Sequence, residues 1–224
     1  MISEASMARE GFDTGAAVTR SLLGWGVVAG PFYLVFGLIL ASTRTGFDLT
    51  RHPLSALLLG DHGLLQALNL VLTGIMVGAA ALGFVRAVAG RRGTAGGVLL
   101  GVYALCLVLS AVFPPDPTNG FPPGAAAQAT SSGLLHLVFG AIGFLTLGAA
   151  ALILAGELPG AVFSRAAGVV VIVGFLGGAA LSPGGAGIAL LWVAVVVGWV
   201  WLAVASVRAY RIVPHPELHR RASA

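Results

Sequence analysis

Six long apolar stretches, separated by short polar ones, account for most of this chain. They run over Leu22–Ser42, Leu64–Val85, Ala95–Phe113, Leu134–Ala155, Ala166–Leu181 and Ile188–Val207. Most approach or pass the roughly 20 residues that cross a hydrocarbon core as a helix. A backbone in lipid has no water to bond, so each stretch must pair its N–H and C=O groups internally and is predicted to be an α-helix. The fifth is the shortest and is rich in glycine, which predicts little tilt or a partial break. The pattern therefore predicts an all-α polytopic transmembrane bundle of six helices over residues 22–208. Segments 1–21 and 209–224 flank it and are expected in the cytoplasm.

Composition agrees with that pattern. Hydrophobic residues make up 58% of the chain and charged residues only 9%, against about 25% charged in a soluble domain. Glu4, Glu10 and Asp13 precede the first apolar stretch. That stretch is too long for the core of a signal peptide, so it is expected to be a retained span.

Charge orients the bundle. The net charge is +4, and every basic residue is an arginine. Arg9, Arg20, Arg86, Arg91, Arg92, Arg165, Arg208, Arg211, Arg220 and Arg221 fall on one side of the predicted spans, and only Arg44 and Arg51 on the other. Ten against two predicts that the crowded side is cytoplasmic. Residues 43–63, 114–133 and 182–187 then face outward from a cell inner (plasma) membrane. No basic face with interleaved aromatics lies outside the spans, so nucleic acid is not expected as a partner.

Glycine is abundant, at 33 residues, and recurs four apart at Gly26 and Gly30, Gly74 and Gly78, Gly97 and Gly101, and Gly174 and Gly178. Small residues at that spacing let helices approach closely, which predicts tight packing within one bundle and leaves the oligomeric state open. The single cysteine, Cys106, is expected to be a small core residue.

The candidate chemistry lies in the first two outward segments. The first places Asp48, Arg51, His52 and Ser55 within eight residues, and Pro53 biases His52 toward extended backbone. Asp48 and Arg51 either pair with each other or remain available, and His52 either donates to a backbone carbonyl or takes part in chemistry. Asp61 is expected to cap the second helix. The second segment, Phe113 to Gly124, holds five prolines around Asp116 and Asn119. Its stiffness suits it to presenting those groups at fixed positions. Asp116 either closes an Asx-type turn or serves as an acid. His136 lies just inside an apolar stretch, where a purely structural imidazole is costlier.

Gln66, Asn69 and Thr73 form a polar stripe expected to bond between helices. Trp25, Trp192, Trp199, Trp201, Tyr33, Tyr103 and Tyr210 serve as interfacial anchors or packing residues, or line a pocket where they lie deeper. His215 and His219 are four apart, but Pro214 and Pro216 argue for a solvated tail.

Three stretches carry a resemblance: Gly-Phe-Asp-x-x-Arg-His-Pro-x-Ser from Gly46, Phe-Pro-x-Asp-Pro-x-Asn-Gly-x-Pro-Pro-Gly from Phe113, and Ser-Ser-Gly-x-x-His ending at His136. Together they resemble a bacterial membrane family known only as domain of unknown function 998. The resemblance covers about Leu22 to Val207. It implies six membrane helices and singles out Asp48, Arg51, His52, Ser55, Asp116, Asn119 and His136, without implying an activity.

On this reading the first expectation is a membrane-embedded enzyme acting on a lipidic or isoprenoid substrate from the outer face. Asp116 or Asp48, protonated near lipid, would start a cyclisation, with His52 or His136 orienting the acid or removing a proton. The architectural analogue is the small membrane-bound terpene cyclases. Arg51, Ser55, Asn119, Gln66, Asn69, Trp25, Tyr33 and Tyr103 are the expected substrate contacts. No cofactor is predicted. A variant holds zinc on His52, His136 and Asp116 and hydrolyses lipid. The alternatives are a non-catalytic lipid-binding or assembly protein and a small-solute transporter. Membrane lipid and a hydrophobic small molecule are the expected partners.

Overall fold

A computed structural model describes residues 12–182 and 184–217. Six helices form: α1 (Thr14–Ser42), α2 (Gly63–Ala87), α3 (Gly90–Val112), α4 (Ser131–Leu154), α5 (Ala161–Ala180) and α6 (Gly185–Ile212). All six are long and apolar enough to cross a membrane. The shortest, α5 with 20 residues, is about 30 Å long, which matches a hydrocarbon core. It is unbroken, so the glycine-rich fifth stretch is a whole helix. The one other helical element is a 3-10 turn, Leu54–Leu58, before α2.

Two helices outrun their apolar stretches. α1 begins at Thr14, inside the stretch read as an N-terminal flank, because the Asp13 carboxylate accepts from the Ala16 N–H at 2.9 Å and caps it. α6 continues to Ile212. Hydropathy marks where apolar residues stop, whereas a helix stops where its terminal groups find other partners. Asp61 does not cap α2. The N-cap position falls on His62, in left-handed geometry and with no side-chain cap bond.

Each helix packs against its neighbours in sequence, and α6 returns to α1, so the bundle closes as a ring. The Asp13 N–H donates to the Pro216 carbonyl at 3.1 Å, so the first and last described residues meet at one end. Arg86, Arg91, Arg92, Arg165, Arg208 and Arg211 lie toward that end, near the short links between α2 and α3 and between α4 and α5 or in the last turns of α6. Arg9, Arg220, Arg221 and His219 lie outside the described residues. The long connections 43–62 and 113–130 occupy the opposite, loop end.

Glycine sets the helix spacing at several crossings. A Cβ on Gly168 of α5 would stand 2.8 Å from the Gly148 carbonyl oxygen of α4, and one on Gly174 would stand 3.0 Å from the Leu190 carbonyl of α6. Gly26 and Gly30 abut Ser206 and Trp199, but nothing lies within 4 Å of where a Gly101 Cβ would be. The four-residue glycine spacing therefore marks true contacts at most of the pairs, though not at every member.

Candidate functional site

The end of α3 creates the first special feature of the loop end. α3 ends at Val112 with Phe113 in extended geometry, so the carbonyls of Ser110 and Phe113 have no helical donor, and Pro114, four residues after Ser110, has no N–H to continue the ladder. His136, near the start of α4, fills the gap. Its Nδ1 is 2.8 Å from the Phe113 carbonyl oxygen and 3.2 Å from that of Ser110. Carbonyls only accept, so Nδ1 carries the proton and donates, and Nε2 is left as an acceptor. The imidazole is buried.

A second knot joins the two long loops. The Asp48 N–H donates to His52 Nδ1 at 2.9 Å, and His52 Nε2–H donates to the Asn119 carbonyl at 3.2 Å. Arg51 donates to that same carbonyl, while Asn119 Nδ2 donates back to the Arg51 carbonyl at 2.9 Å. Asn119 is in left-handed geometry, φ 53°, which asparagine tolerates better than most residues. His52 is sandwiched with Phe47 and Phe121, the three ring centroids lying 5.2–5.4 Å apart. Arg44 lies over Phe121 at 5.5 Å and donates to the carbonyls of Leu57 and Leu59. The Trp192 indole N–H of α6 reaches the Leu49 carbonyl at 2.9 Å. The first loop is thus pinned over the bundle from three directions.

Both aspartates are engaged in backbone geometry. Asp48 accepts from the Thr50 hydroxyl at 2.7 Å and the Thr50 N–H at 2.8 Å. Those bonds, the hydroxyl foremost, hold its carboxyl below the ordinary range. It forms no ion pair with Arg51; the one salt bridge among the described residues is Arg92–Glu157, at 3.4 Å. Asp116 does not close a local turn. It accepts from the Thr130 hydroxyl at 2.6 Å and the Thr130 N–H at 3.1 Å, while Thr130 itself caps α4 at the Gly133 N–H. Gly133 is required there, since a Cβ would run into the Asp116 carboxylate.

Beneath the pinned loop, the half of the bundle nearest the loops holds a cavity of about 100 Å³. Its wall comes from α1, α2, α3, α4, α6 and the segment Pro53–Ser55, with no residue from α5. Tyr33, Tyr103 and Trp199 stand together deep in it, with centroids 5.4 and 5.7 Å from Trp199. His136, Ser110 and Ser55 lie nearer the loops, and Cys106, Phe139 and Gly140 also line it. No Asp, Glu, Lys or Arg contributes to the wall.

The residues singled out from sequence therefore divide into separate groups. Asp48, Arg51, His52 and Asn119 form the loop knot, Asp116 supports the start of α4, and Ser55, Tyr33, Tyr103 and His136 face the cavity. Gln66 and Asn69 are fully buried beside it. Asn69 bonds the Tyr33 carbonyl at 3.2 Å and the Gln66 side-chain oxygen at 3.3 Å, while Gln66 Nε2 has no partner among the described residues. Trp25 is 45% exposed on α1 and does not line the cavity. No hydrogen bond joins the side chains of Asp116, Asp48, His52 and His136 to one another; each is bonded to different partners. Among the described residues no three His, Cys, Asp or Glu side chains gather as a metal site requires. Sequence reasoning missed Ser110, which faces the cavity, and treated Cys106 as packing alone. The usable signal for Ser110 was its place four residues before Pro114.

No curated protein and no solved structure matches this chain. The family described as "Protein of unknown function (DUF998)" matches residues 27–208, which include every helix-lining residue of the cavity and both pinned loops. The chain belongs to the DUF998 family of integral membrane proteins with six apolar helices.

Proposed function

We propose that this protein binds an uncharged lipidic molecule in the cavity at the loop end of its bundle, with that end facing outward from the membrane. One observation carries the reading: the wall is apolar and uncharged, yet it presents polar atoms without partners. Ser55, Ser110, Tyr33, Tyr103 and His136 line the cavity, and no hydrogen bond joins their hydroxyls or the His136 Nε2 to another described residue. Polar groups in an apolar surround are costly unless bonded. A molecule with an apolar body and a small neutral head answers both features.

Acid-initiated cyclisation needs a carboxylic acid on that wall, and both candidate aspartates are bonded elsewhere. A phosphate-bearing lipid would bring a charge with no counter-ion, a cost of several kcal/mol in low dielectric. The outward orientation rests on the ten-to-two arginine asymmetry.

Binding to protein in detergent micelles, read by native mass spectrometry, tests the proposal with geranylgeranyl methyl ether and geranylgeranyl phosphate as probes. The neutral probe is expected to bind at least about tenfold more tightly, given the price of an unpaired buried charge. Gly140 lines the cavity and has nothing within 4 Å of its would-be Cβ, so Gly140→Phe should fill the space and abolish binding. Asp116→Asn should lower thermal stability by about 1 kcal/mol through the weakened helix cap and leave binding unchanged. Binding that survives Gly140→Phe, or that favours the phosphate, would overturn the proposal.

A further inference from the structure

Building on that reading, we infer that the bound molecule is a lipid alcohol, whose hydroxyl donates a hydrogen bond to His136 Nε2. At the end of α3 the carbonyls of Ser110 and Phe113 have no helical donor, and His136 Nδ1 sits 3.2 and 2.8 Å from them. Two acceptors facing one ring nitrogen fix the proton on it. Nε2 of the neutral ring is then an obligate acceptor, on a side chain that lines the cavity and has no second partner among the described residues.

The other polar wall groups, Ser55, Ser110, Tyr33 and Tyr103, are hydroxyls, each able to donate or accept. They tolerate any neutral head and select little. His136 Nε2 discriminates, because it can be satisfied only by an O–H or N–H brought to it. Ketones, ethers and esters offer acceptors alone and leave it bare. An amine protonated at neutral pH would bring a charge that no carboxylate on the wall balances. A neutral alcohol on an apolar chain supplies that donor without bringing a charge.

The cavity is small, about 100 Å³, so it holds the head and the first carbons of such a chain. The rest of that chain must leave the cavity for the surrounding lipid. Two sources share this chemistry: a single-chain isoprenoid alcohol and a diacylglycerol.

The test compares geranylgeraniol, its methyl ether and 1,2-dioleoylglycerol on wild type and on His136→Asn. In this variant the Asn amide N–H can stand in for Nδ1 at the Ser110 and Phe113 carbonyls, while its only acceptor, Oδ1, takes the place of Cδ2 and falls short of the position of Nε2. A thermal melt checks that it is folded. Wild type is expected to prefer geranylgeraniol over the ether by about five- to tenfold, the worth of one such bond. In His136→Asn the preference should fall to less than about twofold, with the ether bound as before. Tighter binding of dioleoylglycerol than of geranylgeraniol would support the same contact and identify the acylglycerol source. Equal binding of alcohol and ether by wild type would overturn the alcohol inference and leave the lipid-binding proposal standing. So would a preference that persists in folded His136→Asn. Binding of none of the three would remove both.

Discussion

Thr50 offers Asp48 both a hydroxyl and an N–H, and the two bonds close a tight turn on an exposed stretch of the first loop. Because the bonds favour the carboxylate, its folded pKa is lowered. The stabilisation is therefore fully present above the unfolded value and is lost as pH falls through the folded one. An NMR titration should place the Asp48 midpoint below the ordinary 3.8, and Thr50→Ala should move it back up. An unchanged midpoint in that variant would show that Thr50 is not the cause. The same logic separates what sequence could reveal about single residues. His136 stood out because an imidazole inside an apolar run needs a partner, and its partners are carbonyls left open where α3 ends just before Pro114. Asp116 looked like an acid because Thr130, its partner, is fourteen residues away and is brought near only by the folded loop. The three-residue spacing of Asp48 and Arg51 left a pair between them open, and in the structure Arg51 turns instead to Asn119 in the other loop.

At the scale of helices, existence and number were legible because lipid forces a long apolar run to be helical. Ends were less so, since a cap such as Asp13 lies outside the apolar run it extends. The glycines were half legible: spacing finds a small-residue face, while the partner decides whether that face is used. Gly168 and Gly101 make the distinction measurable. A methyl group at Gly168 meets the Gly148 carbonyl at 2.8 Å and the Leu152 side chain at 2.9 Å, and backbone cannot give way as a side-chain tip can. Gly168→Ala should therefore destabilise the bundle by about 1–3 kcal/mol, the usual cost of overpacking. Gly101→Ala meets nothing and should be neutral, or stabilising by up to about 1 kcal/mol through helix propensity. Thermal unfolding in one detergent would compare them. Equal effects would mean that α4 and α5 can separate without cost, and that this crossing does not hold α5 in place.

At the scale of the molecule, the cavity was not legible, because its wall draws on five helices and a loop segment whose convergence depends on ring closure by α1 and α6. Its placement at one end gives the orientation of the bundle functional weight. If the loop end faces outward, the cavity meets the outer leaflet and the pinned loops shield it from the external medium. If the loop end faces inward, the same cavity samples cytoplasmic-leaflet lipids. Arginine asymmetry predicts the first. In a Cys106→Ala background, single cysteines at Thr45 and Gln128, both exposed in the loops, should react with an impermeant maleimide in intact cells. A cysteine at Arg91, exposed at the other end, should react only after lysis. Reversed labelling would leave the alcohol chemistry of His136 untouched but would move its supply to the opposite leaflet. The polarity of the bundle and the chemistry of its cavity are thus independent claims, and each can fail without the other.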